Sequence, residues 1–285
     1  MDAIDSLLNI AGLLLCLSWR SAHQDPLARS APATLVGALK RTEPRRLTGW
    51  QLALALSRIL AARALVYWLV GAPAEWTPKL NLELIVLPFR IDLFSEALVF
   101  SCLSFVRIVA VFYFWLIVLA IINRQSTEPD MIQKAIRLQL GRAAQWSWPL
   151  QVLVPFAMVM LLWVACNPML MSLNLVDPTH SVAHLLEQGS LVGLGLFLSL
   201  KYLLPMLLLL HLITSYVYLG KNAFWDFVAA TANQLTGPLR RLPLRFAKLD
   251  LSPVVGAFLI LCALQWLPNL ILSKLTASKV STWPL

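Results

Sequence analysis

Apolar residues fall into six runs, 7–19, 50–70, 93–122, 147–166, 191–219 and 253–272, separated by polar and basic segments. About 20 residues of α-helix cross the hydrocarbon core of a bilayer. Four of the runs hold 20 to 30 residues, and 50–70 is also long enough but carries Arg58 and Arg63. The first run, at 13 residues, is short for a span and would cross with its flanks thinning the bilayer locally. Its head carries Asp2 and Asp5 and no Lys or Arg. A cleaved signal peptide needs a positive head, so this run is expected to remain as a span with the N-terminus outside. The pattern therefore predicts an all-α fold: a polytopic membrane helix bundle of about six transmembrane helices.

Composition agrees. The chain is 59% hydrophobic and 13% charged, with mean hydropathy +0.73. A soluble domain of 285 residues has no interior large enough to hide that much apolar surface.

The formal charge of +9 changes the picture only through its distribution. The segments after the first, third and fifth runs hold 15 Lys/Arg, and the other connections with the tail hold 4. Basic segments stay in the cytoplasm, so three face inward and both termini are expected outside. Topology accounts for this charge without a nucleic-acid partner. The location expected from charge is a membrane whose inner face meets the cytoplasm. Cys16, Cys102, Cys166 and Cys262 all fall in or at the end of apolar runs. They lack the close spacing of a metal site and read as small packing residues.

Span and basic segment alternate regularly enough to suggest a repeat. "LVGALKR" (35–41) aligns with "LTGPLRR" (235–241), and "QLGRAAQ" (139–145) is a weaker third copy. Gly37, Gly141 and Gly237 are then about 100 residues apart. The expected organisation is three units, 1–90, 91–180 and 181–285, each a span, a basic amphipathic segment and a span. In the last amphipathic segment Phe224, Phe227, Val228 and Leu235 share a helical face; in the middle one Met131, Ile132, Ile136, Leu138 and Leu140 do. Such a stripe suits a helix packed on the bundle and equally one lying on lipid.

Residues 222–255, "NAFWDFVAATANQLTGPLRRLPLRFAKLDLSPVV", carry several motif blocks in order. Asn222 and Phe224 open it. Pro238, Leu239, Arg240, Arg241 and Pro243 form its middle, and Asp250, Leu251, Ser252 and Pro253 close it. The stretch resembles the YggT/YlmG family of small membrane proteins, with Ala223 where that family usually has proline. Leu17–Trp19 is similar to the Ser-Trp that the family places near the end of the preceding span. In the last unit Ser215-Tyr216 is the nearest match, with His211 where an arginine is usual. The resemblance implies a protein of the bacterial cytoplasmic (inner) membrane that is not an enzyme. It implies roles in division-site or membrane-complex organisation of the envelope, or in osmotic or cation homeostasis. In plastids it also implies nucleoid distribution and cytochrome assembly.

Candidate chemistry is sparse. Ser252 and Pro253 suit a helix start, and Asp250 would favour the positive end of its dipole or contact a cation or a partner. Arg240 and Arg241 would retain topology or attract anionic lipid head groups. Gly237-Pro238 reads as the end of a helix. Arg58, Arg63, Arg107 and Lys201 lie inside apolar runs, with no Asp or Glu in the middle of any run. Arg107 and Lys201 are the deepest and mark either a functional site or snorkelling side chains. His211 lacks neighbouring histidines and reads as a packing or hydrogen-bonded residue. Pro155 and Pro205 would kink their spans. No nucleophile–base spacing and no paired carboxylates occur, so no catalytic residue, metal or cofactor is expected. The leading function is a structural or organising factor, its basic segments meeting lipid or a membrane or division protein partner. The alternative is an ion or solute transporter or channel built on the repeats.

Overall fold

The structure, a computed structural model, describes residues 2–24, 48–71, 76–125, 131–176, 181–217, 220, 222–237, 245–246, 249–250 and 252–277. Nearly all of these are helical: α1 (Asp2–Gln24), α2 (Gly49–Val66), α3 (Phe94–Ile122), α4 (Met131–Leu140), α5 (Trp148–Ser172), α6 (Val182–Leu198), α7 (Leu200–Tyr216), α8 (Ala223–Thr236) and α9 (Ser252–Ala277). Short strands β1 (Lys79–Asn81), β2 (Val86–Pro88), β3 (Arg245–Phe246) and β4 (Leu249–Asp250) interrupt an otherwise helical chain. Apolar patterning reveals no strand this short, because two or three residues show no period.

Four helical stretches among the described residues are long and apolar enough to cross a membrane: Gly49–Gly71, Phe94–Ile122, Trp148–Ser172 and Val182–Tyr216. The protein is thus a helical, multi-pass membrane-type chain. Its outward surface is that of a protein solvated by hydrocarbon. Leu153, Met158, Leu161, Met206, Phe258 and Trp266 are each at least 60% exposed, an arrangement costly in water.

Several boundaries differ from the apolar runs. The helix holding the first run extends over 23 residues, about 34 Å at 1.5 Å per residue, because polar residues at both ends continue it. The start of α2 is set by a capping box. Gln51 N donates to Thr48 Oγ1 and Thr48 N to Gln51 Oε1, at 3.4 and 3.0 Å. The fifth run begins nine residues earlier than its apolar core, at Val182. Ser181 caps it through Ala183 N. The stretch of 35 residues is about 52 Å long, far more than one crossing needs, and it breaks into α6 and α7 at Ser199.

The chain forms two compact units, residues 1–80 with 88–109 and residues 81–87 with 110–285. In the first, α1 packs on α2 and both meet the first half of α3. In the second, α5 packs on α6 and α7 on α9. Gly189 and Gly193 form a small-xxx-small pair on α6. A Cβ at Gly193 would lie 2.7 Å from the Phe156 ring, and one at Gly189 would lie 3.0 Å from Met160. Close backbone approach through glycine is how membrane helices associate without a hydrophobic driving force between them.

The amphipathic helices α4 and α8 are packed on the bundle. Ile136 and Leu140 of α4 and Phe227 and Val228 of α8 share one apolar cluster with Leu116, Ile117 and Leu119 of α3 and Leu207 of α7. The stripes read from sequence need correction. Met131 is 78% exposed, and Leu138 and Phe224 are exposed, while Gln133, Thr231, Ala232 and Thr236 are buried. On α8 the buried face turns toward Thr231, which Asn123 engages: Nδ2 donates to Thr231 Oγ1 at 2.9 Å and to Leu119 O at 3.0 Å. Thr231→Val should cost about 1–3 kcal/mol, the penalty of stranding a buried donor. Thermal unfolding in detergent checks this, and an unchanged midpoint would refute it.

Of the glycines aligned as a repeat, Gly37 lies outside the described residues. Gly141 has φ +57°, a left-handed conformation that suits glycine, whereas Gly237 is right-handed at φ −46°. The two described members therefore have different backbone roles.

Candidate functional site

Each unit holds an ion pair, one between two helices and one between a helix and a turn. In the first, Arg63 is 2% exposed, although an unpaired guanidinium there would be prohibitive. Its Nη2 lies 3.0 Å from Asp5 Oδ1 and donates to Ser101 O at 3.0 Å. Its Nη1 donates to Asn9 Oδ1. The Tyr67 ring centroid is 5.5 Å from the guanidinium carbon, within cation–π range.

Asp5 is saturated from the other side. Tyr67 Oη donates to Oδ1 at 2.8 Å; Asn9 Nδ2 and Ser104 Oγ donate to Oδ2 at 3.1 and 3.0 Å. With Arg63, four donors occupy the carboxylate, whose two oxygens offer about four lone-pair sites. Asn9 and Ser104 also bond each other at 3.0 Å. Ser101 Oγ donates to Leu60 O at 2.9 Å.

Three helices supply this cluster in one-turn pairs: Asp5 and Asn9, Arg63 and Tyr67, Ser101 and Ser104. Residues three or four apart share a helical face, so each helix presents one polar patch to the others. That spacing is the signal sequence reasoning missed. Asp5 looked like part of a polar head because the apolar run begins two residues later. The expectation that the cations inside the runs lack carboxylate partners is therefore corrected for Arg63.

It is corrected for Lys201 as well. In the second unit Lys201 Nζ lies 2.6 Å from Glu83 Oε2, and 5.0 Å from the Tyr202 ring centroid. Glu83 sits in the non-helical turn at residues 82–85 with φ +72°, a rare conformation for a residue with a side chain. Its N–H donates to Asn81 Oδ1 at 2.8 Å, and Leu82 N donates to Ile85 O at 2.8 Å. The Glu83 side chain is 7% exposed. Gly195 makes the approach feasible, since a Cβ there would meet Leu82 O at 2.2 Å.

The helix break lies beside this pair. Ser199 is buried, its Oγ donating to Leu196 O at 2.6 Å and accepting from Trp115 Nε1 at 3.0 Å. Pro205 has no N–H for the carbonyl of Lys201, four residues back, which loosens the first turn of α7.

The other sequence candidates stand apart. Arg107, half-buried on α3, has no ion pair or hydrogen bond to another described residue. Arg58 is exposed on α2, in keeping with a snorkelling side chain. His211 is ten residues along α7 from Lys201, about 15 Å, and its carbonyl accepts from Thr214 Oγ1 at 2.8 Å. All four cysteines are free. No group of three or more His, Cys, Asp or Glu among the described residues could hold a metal.

The motif residues punctuate α8 and the connector to α9. Asn222 caps α8 by accepting from Phe224 N at 3.3 Å. Phe224 is 42% exposed and its ring contacts Trp225 edge-on. Gly237 ends the helix, its N–H donating to Gln234 O at 3.3 Å. Pro238, Leu239, Arg240, Arg241 and Pro243 lie outside the described residues. Beyond them β3 and β4 pair antiparallel, with Arg245 opposite Asp250 and Phe246 opposite Leu249. Asp250 thus belongs to a strand. Helix α9 starts at Ser252, with Pro253 buried in its first turn. The helix-start reading of Asp250–Pro253 shifts by a residue, as assigned helix ends commonly do.

No family model matches the chain, and neither a curated protein nor a solved structure matches it.

Proposed function

We propose that this chain is a non-enzymatic integral membrane protein of the YggT type. In this reading it organises an envelope complex, at a division site or elsewhere in the inner membrane. Six spans in three units leave both termini outside and three basic segments in the cytoplasm, where they meet anionic lipid or a partner protein. The observation that carries the reading is the saturation of Asp5. Its four acceptor sites are filled by Arg63, Tyr67, Asn9 and Ser104, leaving no vacancy for a transported cation. Buried charge here fastens helices to each other. The order span, short packed helix, span recurs in α3–α4–α5 and α7–α8–α9, which supports the repeated unit. The motif order of residues 222–255 supports the family.

Reporter fusions at Lys40, Gln139 and Thr236 should all give cytoplasmic signals; a periplasmic signal at any one would break the three-unit arrangement. Charge reversal of Arg240 and Arg241 to Glu should abolish capture of the partner by in-cell crosslinking. Undiminished capture would remove these arginines from the interface.

A transporter or channel is the second reading, favoured by the Glu83 turn beside the α6–α7 break. Broken helices and irregular backbone recur at midplane binding sites. The two readings differ in solute flux.

A further inference from the structure

An open groove of about 820 Å³ in the second unit is lined by Ile121, Ile122, Arg124, Trp148, Gln234 and Leu235. Its volume is in the range of small-ligand sites. Three helix ends build it. Ile121 and Ile122 close α3, Trp148 opens α5, and Gln234 and Leu235 lie in the last turn of α8. Arg124 stands in the 3₁₀ turn Asn123–Gln125 that succeeds α3.

The lining divides by chemistry. Ile121, Ile122 and Leu235 supply its aliphatic surface. Arg124 is exposed, Gln234 is a neutral hydrogen-bonding group, and Trp148 is 61% exposed. Helices α3 and α5 are two of the apolar stretches long enough to cross a membrane, so their adjoining ends place the groove at a membrane boundary. Tryptophan favours that depth, where its ring is apolar and its N–H is wet. Lys134, Arg137 and Arg142 lie on the same connection, and basic connections mark the cytoplasmic leaflet, which carries anionic lipid. The C-terminal dipoles of α3 and α8 place partial negative charge nearby, so an anion would depend on the full charge of Arg124. The Asn123 amide is already committed to Leu119 and Thr231.

We infer that this groove binds one anionic phospholipid, its phosphate on Arg124 and the head of one acyl chain along Ile121, Ile122 and Leu235, under Trp148. This goes beyond the organising role and holds equally for a scaffold or a transporter.

Native mass spectrometry of the full chain with added phosphatidylglycerol or phosphatidylcholine tests it. The wild type should retain phosphatidylglycerol preferentially. Arg124→Gln should weaken that retention about fivefold, the factor for about 1 kcal/mol per basic residue at a membrane surface. Arg137→Gln removes the same charge from the exposed face of α4 outside the groove and should weaken retention clearly less. Trp148→Ala should weaken retention of both lipids. Equal retention of the two lipids by the wild type, or equal losses in Arg124→Gln and Arg137→Gln, would overturn the site. Circular dichroism of each variant separates loss of binding from loss of fold.

Discussion

Arg63→Ala should lower the unfolding free energy by about 3 kcal/mol, the lower end of the 3–5 kcal/mol seen when one partner of a buried pair is removed. The lower end applies because the Asp5 side chain keeps 18% of its surface exposed and water can partly repay it. Removing the guanidinium leaves the Asp5 carboxylate beside Tyr67, Asn9 and Ser104 and strands Asn9 Oδ1. The double variant Asp5→Leu/Arg63→Met should recover most of the loss, since apolar replacement of a whole buried pair is often neutral or better. Unfolding in detergent of the wild type, Asp5→Leu, Arg63→Met and the double variant closes a cycle that checks it. Additive losses would mean that the pair is not coupled in the folded protein.

Gly195→Ala should destabilise the second unit by about 2 kcal/mol. Alanine gains about 1 kcal/mol of helix propensity over glycine. Against that, the new Cβ would sit 2.2 Å from the Leu82 carbonyl oxygen, and overpacking costs about 1–3 kcal/mol. Backbone cannot rotate aside as a side chain does, so the upper figure applies. The turn at residues 82–85 should be displaced and the Glu83–Lys201 pair opened. Hydrogen exchange should then quicken in residues 81–87 and stay unchanged in α1. Gly12→Ala is the comparison. Its Cβ would meet the Phe105 ring edge at 2.7 Å, a group that can turn away, so its effect should be smaller. Unchanged exchange at 81–87 would show that the turn does not depend on Gly195.

The spans were legible because twenty apolar residues in a row have few other uses. The runs located α2, α3, α5 and the α6–α7 stretch, yet they misplaced ends where polar residues set the boundary, as at Thr48 and Ser181. The faces of α4 and α8 were harder to read. Their buried sides include Gln133 and Thr231, which a hydrophobic stripe assigns to solvent, and the Asn123–Thr231 bond spans 108 residues. The charge pairs were half legible. Arg63 and Lys201 announced themselves as cations in apolar runs, but Asp5 and Glu83 hid outside those runs. Asp5–Asn9 and Arg63–Tyr67 at helical spacing carried the missing signal, as Gly189-xxx-Gly193 did for the α5–α6 contact. The β-strands come from tertiary fit and leave no local pattern, whereas the turn at Glu83 has a local bond, from its N–H to Asn81 Oδ1.

The central claim is that buried charge in this protein holds helices together and moves nothing across the membrane. Purified full-length protein in proteoliposomes, loaded with a sodium- or potassium-sensitive dye, tests it most directly. Wild type, Lys201→Ala and Arg107→Ala should all match empty liposomes at equal reconstituted amounts. Ion flux above that background in the wild type, lost in Lys201→Ala with the fold intact, would contradict the claim and establish the transporter reading.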